Sequence, residues 1–405
     1  MCRLNTRLVK TTEKEKPRVT DTQKRHVGLF RNVFLHYSET FIHDELRHHE
    51  RYEVTVFARQ WKNHAQFPGH RVEYVEKLPE ERHPLASFWY GLTGRNKRFS
   101  ESIQKLQPDI LHAHFGHNGL YALPYARAFN LPLVVSLHGR DVTILLGNDR
   151  FHPGYWKYLS GFRTLFREAN LFLAASTELK QLMEQIGCPA EKVIVNPLGI
   201  DLDMFQPTNT PLAGTAPIVL MVGRFVEKKG HIYGIRAAAM ARDAGCNFKL
   251  VLVGDGPLRM ECERLVSELN LSSHVRFTGP LPHRDVRDLM NQAFVVMAPS
   301  VIAKNLDRES GLIVLKEAAA SGVPGIGTIH GGIPDIVDHG ETGFLVPERD
   351  AASIAKHLIA LLNNRDLRAQ MGIAARIKME SEYNIVSRVK HLESIYDEVI
   401  ECHRV

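Results

Sequence analysis

Positive charge is concentrated in one short segment in the second half of the chain. The apolar run Ile218–Val222 leads directly into Gly223–Gly230, which contains Arg224, Lys228 and Lys229. A diphosphate is bound by fixed cations together with backbone N–H groups, and a turn between a strand and a helix supplies both. The segment therefore predicts a phosphate-binding turn. The alternative is an ordinary exposed basic loop, because lysine pairs are common on protein surfaces.

Two glutamates form the second candidate group. Glu309 and Glu317 are separated by seven residues. We expect Gly311 to open a helix, so that Glu317 lies about two turns in, roughly 9 Å along the axis from the loop that holds Glu309. Carboxylates accept paired hydrogen bonds from vicinal hydroxyls, and free N–H groups near Gly311 and Leu312 would face an anion between them. The alternative is a helix with one acid at its N-terminus and one on its surface.

Both groups belong to an ordered set of motifs that resembles glycosyltransferase family 4. The set consists of Gly223–Gly230, Val253-Gly254-Asp255-Gly256, Phe277-Thr278-Gly279, Glu309 with Glu317, Gly331-Gly332 and Gly340-Glu341-Thr342-Gly343. The resemblance covers nearly the whole chain. It implies the α/β fold called GT-B, with two facing doubly wound Rossmann-like domains. It also implies transfer of a sugar from a nucleotide donor with retention at the anomeric carbon and without a metal.

The resemblance also implies roles for individual residues. Arg224 and Lys229 would bind the donor diphosphate, Glu317 the ribose, and Glu309 the donor sugar. The further donor-binding positions that it implies are Gly223, Gly254, Gly279, Leu281, Gly311 and Leu312. The chain departs from the commonest family pattern at one point, because the glycine after Glu309 stands at the second position and not at the third.

One histidine in the first half of the chain is a further catalytic candidate. The apolar run Val134–Leu137 ends in His138-Gly139-Arg140-Asp141. This segment resembles the family's histidine at a strand tip beside the transferred sugar, and histidine can hydrogen-bond a hydroxyl and titrates near neutrality. The alternative is an ordinary histidine, one of 21 in the chain.

The segment Leu111–His117 contains three histidines and could suggest a metal site. We expect these histidines to point to opposite faces of a strand, with no acidic ligand beside them, so we predict no metal. We assign the segment to an acceptor-side loop. Together with the first β-α turn and the His138 segment, it resembles bacterial exopolysaccharide glycosyltransferases of the colanic acid and amylovoran type. The acceptor-side candidates are Ser38, Glu39, Thr40, His114, Phe115 and Gly116.

Two series of apolar runs must position these residues. Each run is rich in Val, Ile, Leu and Phe, ends in glycine or a polar turn and precedes a helix-like stretch, which predicts parallel β-α units. A stretch rich in proline and glycine, Asn196–Thr215, separates the two series. The predicted strands are Val27–Phe34, Glu53–Ala58, Asp109–His114, Pro132–His138, Leu171–Ser176, Lys192–Leu198, Ile218–Phe225, Lys249–Gly254, Val275–Thr278, Phe294–Ala298, Gly322–Gly327 and Gly343–Val346.

This pattern predicts domains over residues 27–205 and 206–383, with a polar tail at 1–26 and a C-terminal helix at 384–405. The resemblance implies that the first domain is the acceptor side and the second the donor domain. We expect helices over Ala351–Asn363, Asp366–Glu380 and Ile385–Cys402, the last packing back toward the first domain. In open α/β sheets, ligands bind at the carboxyl ends of the strands, so the site should lie in the interdomain cleft. A D-x-D triplet, Asp201 to Asp203, falls in the linker and is not expected to bind a metal.

Composition limits the partners. The net charge is +6, and residues 1–100 hold 19 Lys and Arg against 12 Asp and Glu. This excess suits either an anionic membrane surface or a solvated face, and no nucleic-acid motif accompanies it. The five cysteines are scattered, which predicts a reducing, cytoplasmic setting. The membrane interpretation of the charge excess predicts peripheral attachment at the inner face of the cell membrane. The first 26 residues contain no apolar block, so we expect neither a signal peptide nor a span.

The resemblance to these glycosyltransferases implies transfer of a hexose from a UDP- or GDP-sugar to a hydroxyl of a lipid-linked saccharide in bacterial exopolysaccharide synthesis. We expect no cofactor. One alternative is a nucleotide-sugar epimerase or a phosphorylase of the same layout. Another is a non-catalytic nucleotide-sugar-binding scaffold, against which the presence of Arg224, Lys229, Glu309 and Glu317 together argues.

Overall fold

Strands form within all twelve predicted segments in the computed structural model, which describes residues 24–36, 39–76, 84–207 and 216–404. The first segment, Val27–Phe34, was predicted as one strand but forms two, Arg25–Phe30 and Val33–Phe34, which both pair with the strand Tyr52–Trp61. The expectation of two parallel-sheet α/β domains is thereby confirmed. Most of the polar tail, part of the linker and the acceptor-side candidate Ser38 lie outside the described residues.

The first sheet has eight strands, all paired in parallel, in the order β2-β3-β1-β5-β6-β7-β8, with β4 also paired to β3. Its strands are β1 Arg25–Phe30, β2 Val33–Phe34, β3 Tyr52–Trp61, β4 Arg71–Glu76, β5 Ile110–His114, β6 Leu133–Leu137, β7 Leu171–Ala174 and β8 Val193–Val195. The sequence analysis missed β4. Its alternating polar and apolar residues suit a sheet edge and not the buried runs that we sought.

Seven helices accompany this sheet within the described residues. They are α1 Thr40–Arg47, α2 Pro84–Thr93, α3 Lys97–Leu106, α4 Gly116–Phe129, α5 Arg140–Leu146, α6 Trp156–Glu168 and α7 Thr177–Gln185. Their inner faces pack on the strands in a core rich in aromatic rings. Phe30 stacks on Phe57 at 5.2 Å between ring centroids, and Tyr125 packs beside Phe30 at 5.4 Å. The core fixes the strand ends that carry the site.

The second sheet has six parallel strands in the order β11-β10-β9-β12-β13-β14. They are β9 Ile218–Val222, β10 Lys249–Val253, β11 Val275–Gly279, β12 Ala293–Ala298, β13 Gly325–Thr328 and β14 Gly343–Val346. The helices of this lobe are α8 His231–Asp243, α9 Arg259–Glu268, α10 His283–Gln292, α11 Ile313–Ala320, α12 Ile333–Ile336, α13 Ala351–Asn363 and α14 Arg365–Lys378. The order reverses between β9 and β12, so a crevice opens at their carboxyl ends.

The helix that carries Glu317 begins later than expected. We placed its start at Gly311, but α11 begins at Ile313 after the cap residue Leu312. Glu317 therefore lies about one turn inside the helix and not two. Gly311 remains in the loop, where an added Cβ would lie 3.3 Å from Leu198 of the first lobe.

The last helix, α15 Ile385–Arg404, returns to the first lobe after a π-helical turn at Met379–Tyr383. Its apolar stripe, which includes Leu392, Tyr396 and Val399, packs on the first sheet. Asp397 forms ion pairs with arginines at the strand edge. No helix among the described residues is both long enough and apolar enough to cross a membrane.

The D-x-D triplet has a local structural role. The Oδ1 atom of Asp201 accepts hydrogen bonds from the backbone N–H groups of Asp203 and Met204 at 2.9 and 3.0 Å. Such a contact stabilises a turn. The turn lies where the chain passes from one lobe to the other.

Candidate active site

The carboxyl ends of β6 and β7 face the loop before α11. The Oγ atoms of Ser176 and Ser310 lie 3.3 Å apart, and the backbone N–H of Thr177 donates to Asp335 at 2.8 Å. Arg308 contacts Glu178 at 2.7 Å. These contacts join the two lobes directly at the candidate site, so residues from both sheets can act on one ligand.

The cationic turn and the first glutamate meet in an ion pair. Lys229 Nζ lies 3.0 Å from Glu309 Oε1, and both side chains are largely buried. Burial alone would raise the pKa of the Glu309 carboxyl, but Lys229 and Lys228 outweigh this effect and lower it. Glu309 is therefore an ionised acceptor. Lys228 has a different partner, Asp307, at 3.1 Å.

The other cation of the turn, Arg224, has an exposed side chain. It follows Gly223, whose backbone N–H bonds to Val253 O at 3.0 Å, while Gly254 N–H bonds to Gly279 O at 2.9 Å. The three glycines thus lie side by side at the ends of neighbouring strands. Gly254 has φ +128°, and an added Cβ would lie only 2.1 Å from the carbonyl oxygen of Gly223. Glycine is needed here because the backbones approach so closely.

Residues that the sequence analysis did not identify fix the backbone of Glu309. Its backbone N–H donates to His330 Nε2 at 3.0 Å, and His330 Nδ1 contacts Glu348 at 2.7 Å. An added Cβ at Gly331 would lie 1.9 Å from the Glu309 carbonyl oxygen. The glycine pair was recognised as a motif, but its contact with the Glu309 loop is visible only in the fold.

Glu317 has its own partner, His283, at 2.8 Å. This hydrogen bond raises the pKa of the His283 imidazole above its ordinary value, although burial acts against it. His283 begins α10, two residues after the candidate Leu281. Asp44 of α1 also faces His283, and burial raises the pKa of this aspartate to about 6. The sequence contained no signal for this group, since its members come from three separate segments.

The histidine at the end of β6 lies in a chain of hydrogen bonds. His138 Nε2 lies 3.0 Å from His114 Nδ1, and His114 Nε2 lies 3.0 Å from Glu45 Oε1. Burial lowers the pKa of His114 to about 3 and that of His138 well below its ordinary value, so both rings are neutral. A Glu45 carboxylate can only accept, which puts the proton of His114 on Nε2 and that of His138 on Nε2. His138 Nδ1 then carries a lone pair, and it is buried without a hydrogen-bond partner.

Four other acceptor-side candidates lie in the turns near His138, and one of them, Phe115, contacts it directly. The ring centroids of Phe115 and His138 are 4.6 Å apart, and the Arg31 guanidinium lies over the Phe115 ring, 4.4 Å from its centroid. Glu39 forms a buried ion pair with Arg31. Thr40 begins α1 next to this pair, and Gly116 begins α4. The turns after β5 and β6 are tied together by Asp141, which accepts from Gly116 and Gly139 N–H at 2.9 Å each.

The expectation about the histidines of β5 was wrong. His112 and His114 are two residues apart and so point to the same face of the strand, and an acidic residue, Glu45, lies beside them. Their ligand atoms lie within 4.8 Å of one another. Every ring nitrogen already has a protein partner, however, since His112 contacts Tyr396 at 2.7 Å and Ser136 at 2.8 Å. A metal ion would have to break these hydrogen bonds, so the cluster fits a buried polar network better than a metal site.

Comparison with known families covers most of the chain. Residues 39–204 match the family described as Glycosyltransferase Family 4, and residues 205–378 match Glycosyl transferases group 1. The chain is 30% identical over 302 residues to WcaL of Escherichia coli (strain K12), a glycosyltransferase assigned to colanic acid biosynthesis, covering 73% of each chain. It is also 30% identical to the amylovoran biosynthesis glycosyltransferase AmsK of Erwinia amylovora, over 68% of this chain and 67% of that one.

Solved structures share the fold. Sucrose-phosphate synthase of Thermosynechococcus elongatus aligns with a TM-score of 0.74 at 22% identity, over 94% of this chain and 100% of that one. HepE of Anabaena, solved in complex with UDP, aligns with a TM-score of 0.74 at 18% identity, over 92% and 100%. At these identities the likeness concerns the two-lobed architecture.

Proposed function

Because this chain belongs to glycosyltransferase family 4 and has the GT-B fold, we propose that it transfers a hexose from a UDP- or GDP-sugar, with retention, to a hydroxyl of a lipid-linked saccharide in exopolysaccharide synthesis. The observation that carries the donor site is the Lys229–Glu309 pair beside the glycines that end β9, β10 and β11. The relatives named for colanic acid and amylovoran biosynthesis support the choice of product class.

The two residues of the ion pair can bind different parts of the donor, its diphosphate and its sugar. The diphosphate competes with Glu309 for Lys229, and the released carboxylate accepts hydrogen bonds from the hydroxyls of the sugar. Arg224 adds a second cation from the same turn. Glu317 binds the ribose, either together with His283 or in place of its contact with His283.

The reaction needs no protein nucleophile. The bond between the anomeric carbon and the diphosphate oxygen breaks, a bond to the acceptor oxygen forms on the same face, and the acceptor proton passes to the departing diphosphate. Negative charge grows on the diphosphate, where Lys229 and Arg224 stabilise it. The lone pair of His138 Nδ1 accepts a hydrogen bond from a hydroxyl beside the reacting centre.

The test of the donor is a thermal-shift screen with UDP- and GDP-hexoses. A donor at a hundred times its dissociation constant stabilises the folded state by about 2.7 kcal/mol, which gives a measurable rise in Tm. The effective donor is then incubated with lipid-linked saccharide acceptors, and release of the nucleoside diphosphate is followed. Release must depend on the acceptor.

The alternatives give different outcomes. Turnover without any acceptor would indicate an epimerase, and turnover with inorganic phosphate a phosphorylase. Donor binding without turnover under any condition would indicate a scaffold. The anomeric configuration of the product, read by nuclear magnetic resonance, distinguishes retention from inversion.

A further inference from the structure

One helix of the first lobe exposes an apolar stripe to solvent. Leu85, Phe88, Trp89 and Leu92 of α2 are each at least 57% exposed. Their spacing of three and four residues places them on one side of the helix. Tyr90, on the opposite side, is buried against Phe99 and Tyr121. The stripe is therefore a persistent outward face of the fold and not a loosely packed part of the core.

A second apolar group adjoins this stripe. Lys157 at the start of α6 donates a hydrogen bond to the Gly91 carbonyl oxygen of α2 at 2.9 Å. The residue before it, Trp156, is exposed, and so is Phe151 in the preceding turn. We call the exposed residues of α2 together with Phe151 and Trp156 the apolar face. Scattered single apolar side chains are normal on a surface, but a group of six in two touching segments is not.

The surroundings of the apolar face are basic. Residues 84–98 contain Arg95, Lys97 and Arg98, and residues 150–163 contain Arg150, Lys157 and Arg163. Acids close to these ranges include Asp149 and Glu101, and Glu101 pairs with Lys97 at 3.6 Å, but an excess of positive charge remains. Arg163 lies two turns after Trp156 on the same side of α6. A partner that covers this face must therefore accept aromatic rings and carry negative charge. A second copy of the chain could cover the aromatic rings but would not supply negative charge, because an isologous pair brings the same basic residues together.

We propose that the apolar face is the surface by which this protein docks on an anionic lipid bilayer. Aromatic and leucine side chains enter the boundary between headgroups and acyl chains, while the arginines contact lipid phosphates. Docking would bring the site close to an acceptor that is carried by lipid. This purpose rests on the proposed function.

The position of the face relative to the site supports this purpose. The hydroxyl oxygen of Tyr158, two residues after Trp156, lies 2.2 Å from the place of a Cβ added at Gly116. Gly116 follows His114 and Phe115, which contact His138. Helix α6 thus has the apolar face on one side and the acceptor-side loop on the other. A saccharide that extends from a lipid headgroup would have a short distance to cover.

The experiment measures binding of the full chain to vesicles of phosphatidylcholine, with and without phosphatidylglycerol. We expect the Phe88→Ser/Trp89→Ser variant to bind anionic vesicles about tenfold more weakly or worse, because two rings no longer enter the interface. Arg95→Ser/Arg98→Ser should weaken binding to anionic vesicles and leave binding to neutral ones unchanged. The matched control is Ile373→Ser/Ile377→Ser, which removes two apolar side chains of similar exposure, 63% and 58%, from α14.

Fluorescence gives an independent readout. Two of the three tryptophans, Trp89 and Trp156, lie on the apolar face. In a Trp61→Phe variant, lipids with brominated acyl chains should quench the remaining emission when vesicles are added. Unquenched emission on bound protein would show that another surface makes the contact.

The outcomes separate this proposal from the proposed function. Equal losses in the α2 and α14 double variants, or binding that is unchanged in both, would overturn the docking surface. So would conversion of a dimer to a monomer by Phe88→Ser/Trp89→Ser with no effect on vesicles. If vesicles bind as expected but no sugar is transferred, the docking stands and the proposed acceptor or reaction fails.

Discussion

At the scale of single residues, the site consists of charged groups that hold one another in the absence of a ligand. Lys229 pairs with Glu309, Lys228 with Asp307 and His283 with Glu317. Each partner prevents an uncompensated charge in a buried place, where such a charge would be costly. Binding of a donor then replaces one partner by another, so the substitutions can be distinguished by which kinetic constant they change.

Removal of either proposed diphosphate cation should slow the chemical step. Lys229→Ala and Arg224→Ala are each expected to lower kcat by about 10²–10³, roughly 2.7–4 kcal/mol, by analogy with loss of one preorganised oxyanion donor. The charge on the diphosphate grows in the transition state, so kcat falls and not only the affinity for the donor. The matched control is Lys228→Ala, whose partner is Asp307. If Lys228→Ala proved as costly as Lys229→Ala in steady-state kinetics, the assignment would fail.

Glu45 should control the tautomer of His138 without touching the substrate. In Glu45→Gln the amide can either donate to or accept from His114, so the proton of His138 is no longer confined to Nε2. We expect a lower kcat together with a mixture of His138 tautomers, which nitrogen-15 chemical shifts detect directly. A change in kcat without any change in these shifts would contradict the positioning role.

The His283–Glu317 contact should contribute stability in a defined pH range. The pKa of His283 is raised, first of all by its hydrogen bond to Glu317. A group whose pKa is raised on folding stabilises the fold below its unfolded pKa, and this contribution disappears as the pH rises through the folded pKa. The Tm difference between wild type and His283→Asn should thus be largest on the acid side and shrink above neutrality. A difference that grows with pH would contradict it.

At the scale of elements, the loop before α11 is fixed by the turn before α12. Gly331 has φ +55° and lies directly against the Glu309 carbonyl, so there is no room for a side chain. His330 holds the same loop through its ring. The position of Glu309 is therefore set by a neighbouring element and not by its own helix.

Gly331→Ala should displace the Glu309 loop and weaken donor binding as well as stability. The control is Gly340→Ala, because Gly340 also has a left-handed φ of +84° but has open space where a Cβ would be. In both variants the left-handed backbone conformation lowers the free energy of unfolding by about 1–2 kcal/mol. Only Gly331→Ala should also raise the KM for the donor, measured on folded protein. Equal donor affinity in the two variants would separate the loop from the donor site.

At the scale of the whole molecule, the site is complete only when both lobes are present. Glu309 and the cationic turn belong to the second lobe, whereas His138, His114 and Glu45 belong to the first. The last helix, α15, begins on the second lobe and packs on the first sheet, and its Tyr396 contacts His112. The histidine cluster of the first lobe is thus in contact with a helix that crosses between the lobes.

Activity should survive chelation, because Arg224 and Lys229 supply the positive charge that a metal ion provides in other transferases. We expect kcat to be the same with and without EDTA. Loss of turnover in EDTA that manganese or magnesium restores would contradict the metal-independent mechanism. A metal requirement would also direct attention to the Glu45–His112–His114 cluster, the described group with suitable ligand spacing.

The sequence by itself determined most strands, the C-terminal helices and the order of the β-α units along the chain. Apolar runs and their glycine ends predict twelve segments that overlap with every described strand except β4, and the bounds predicted for α13 agree with the structure residue for residue. These signals are local, since burial on both faces requires a continuous apolar run and helix periodicity appears within a few turns. The glycosyltransferase family also followed from ordered motifs along the chain, as the comparisons confirm.

Only the tertiary structure decided which side chains meet. The Lys229–Glu309 pair, the support of Glu309 by His330, the contact of His283 with Glu317 and the chain from Glu45 to His138 all join residues from separate segments. The apolar face likewise depends on α2 lying beside α6. Such contacts depend on how the elements pack in three dimensions, and no local spacing in the sequence encodes that packing.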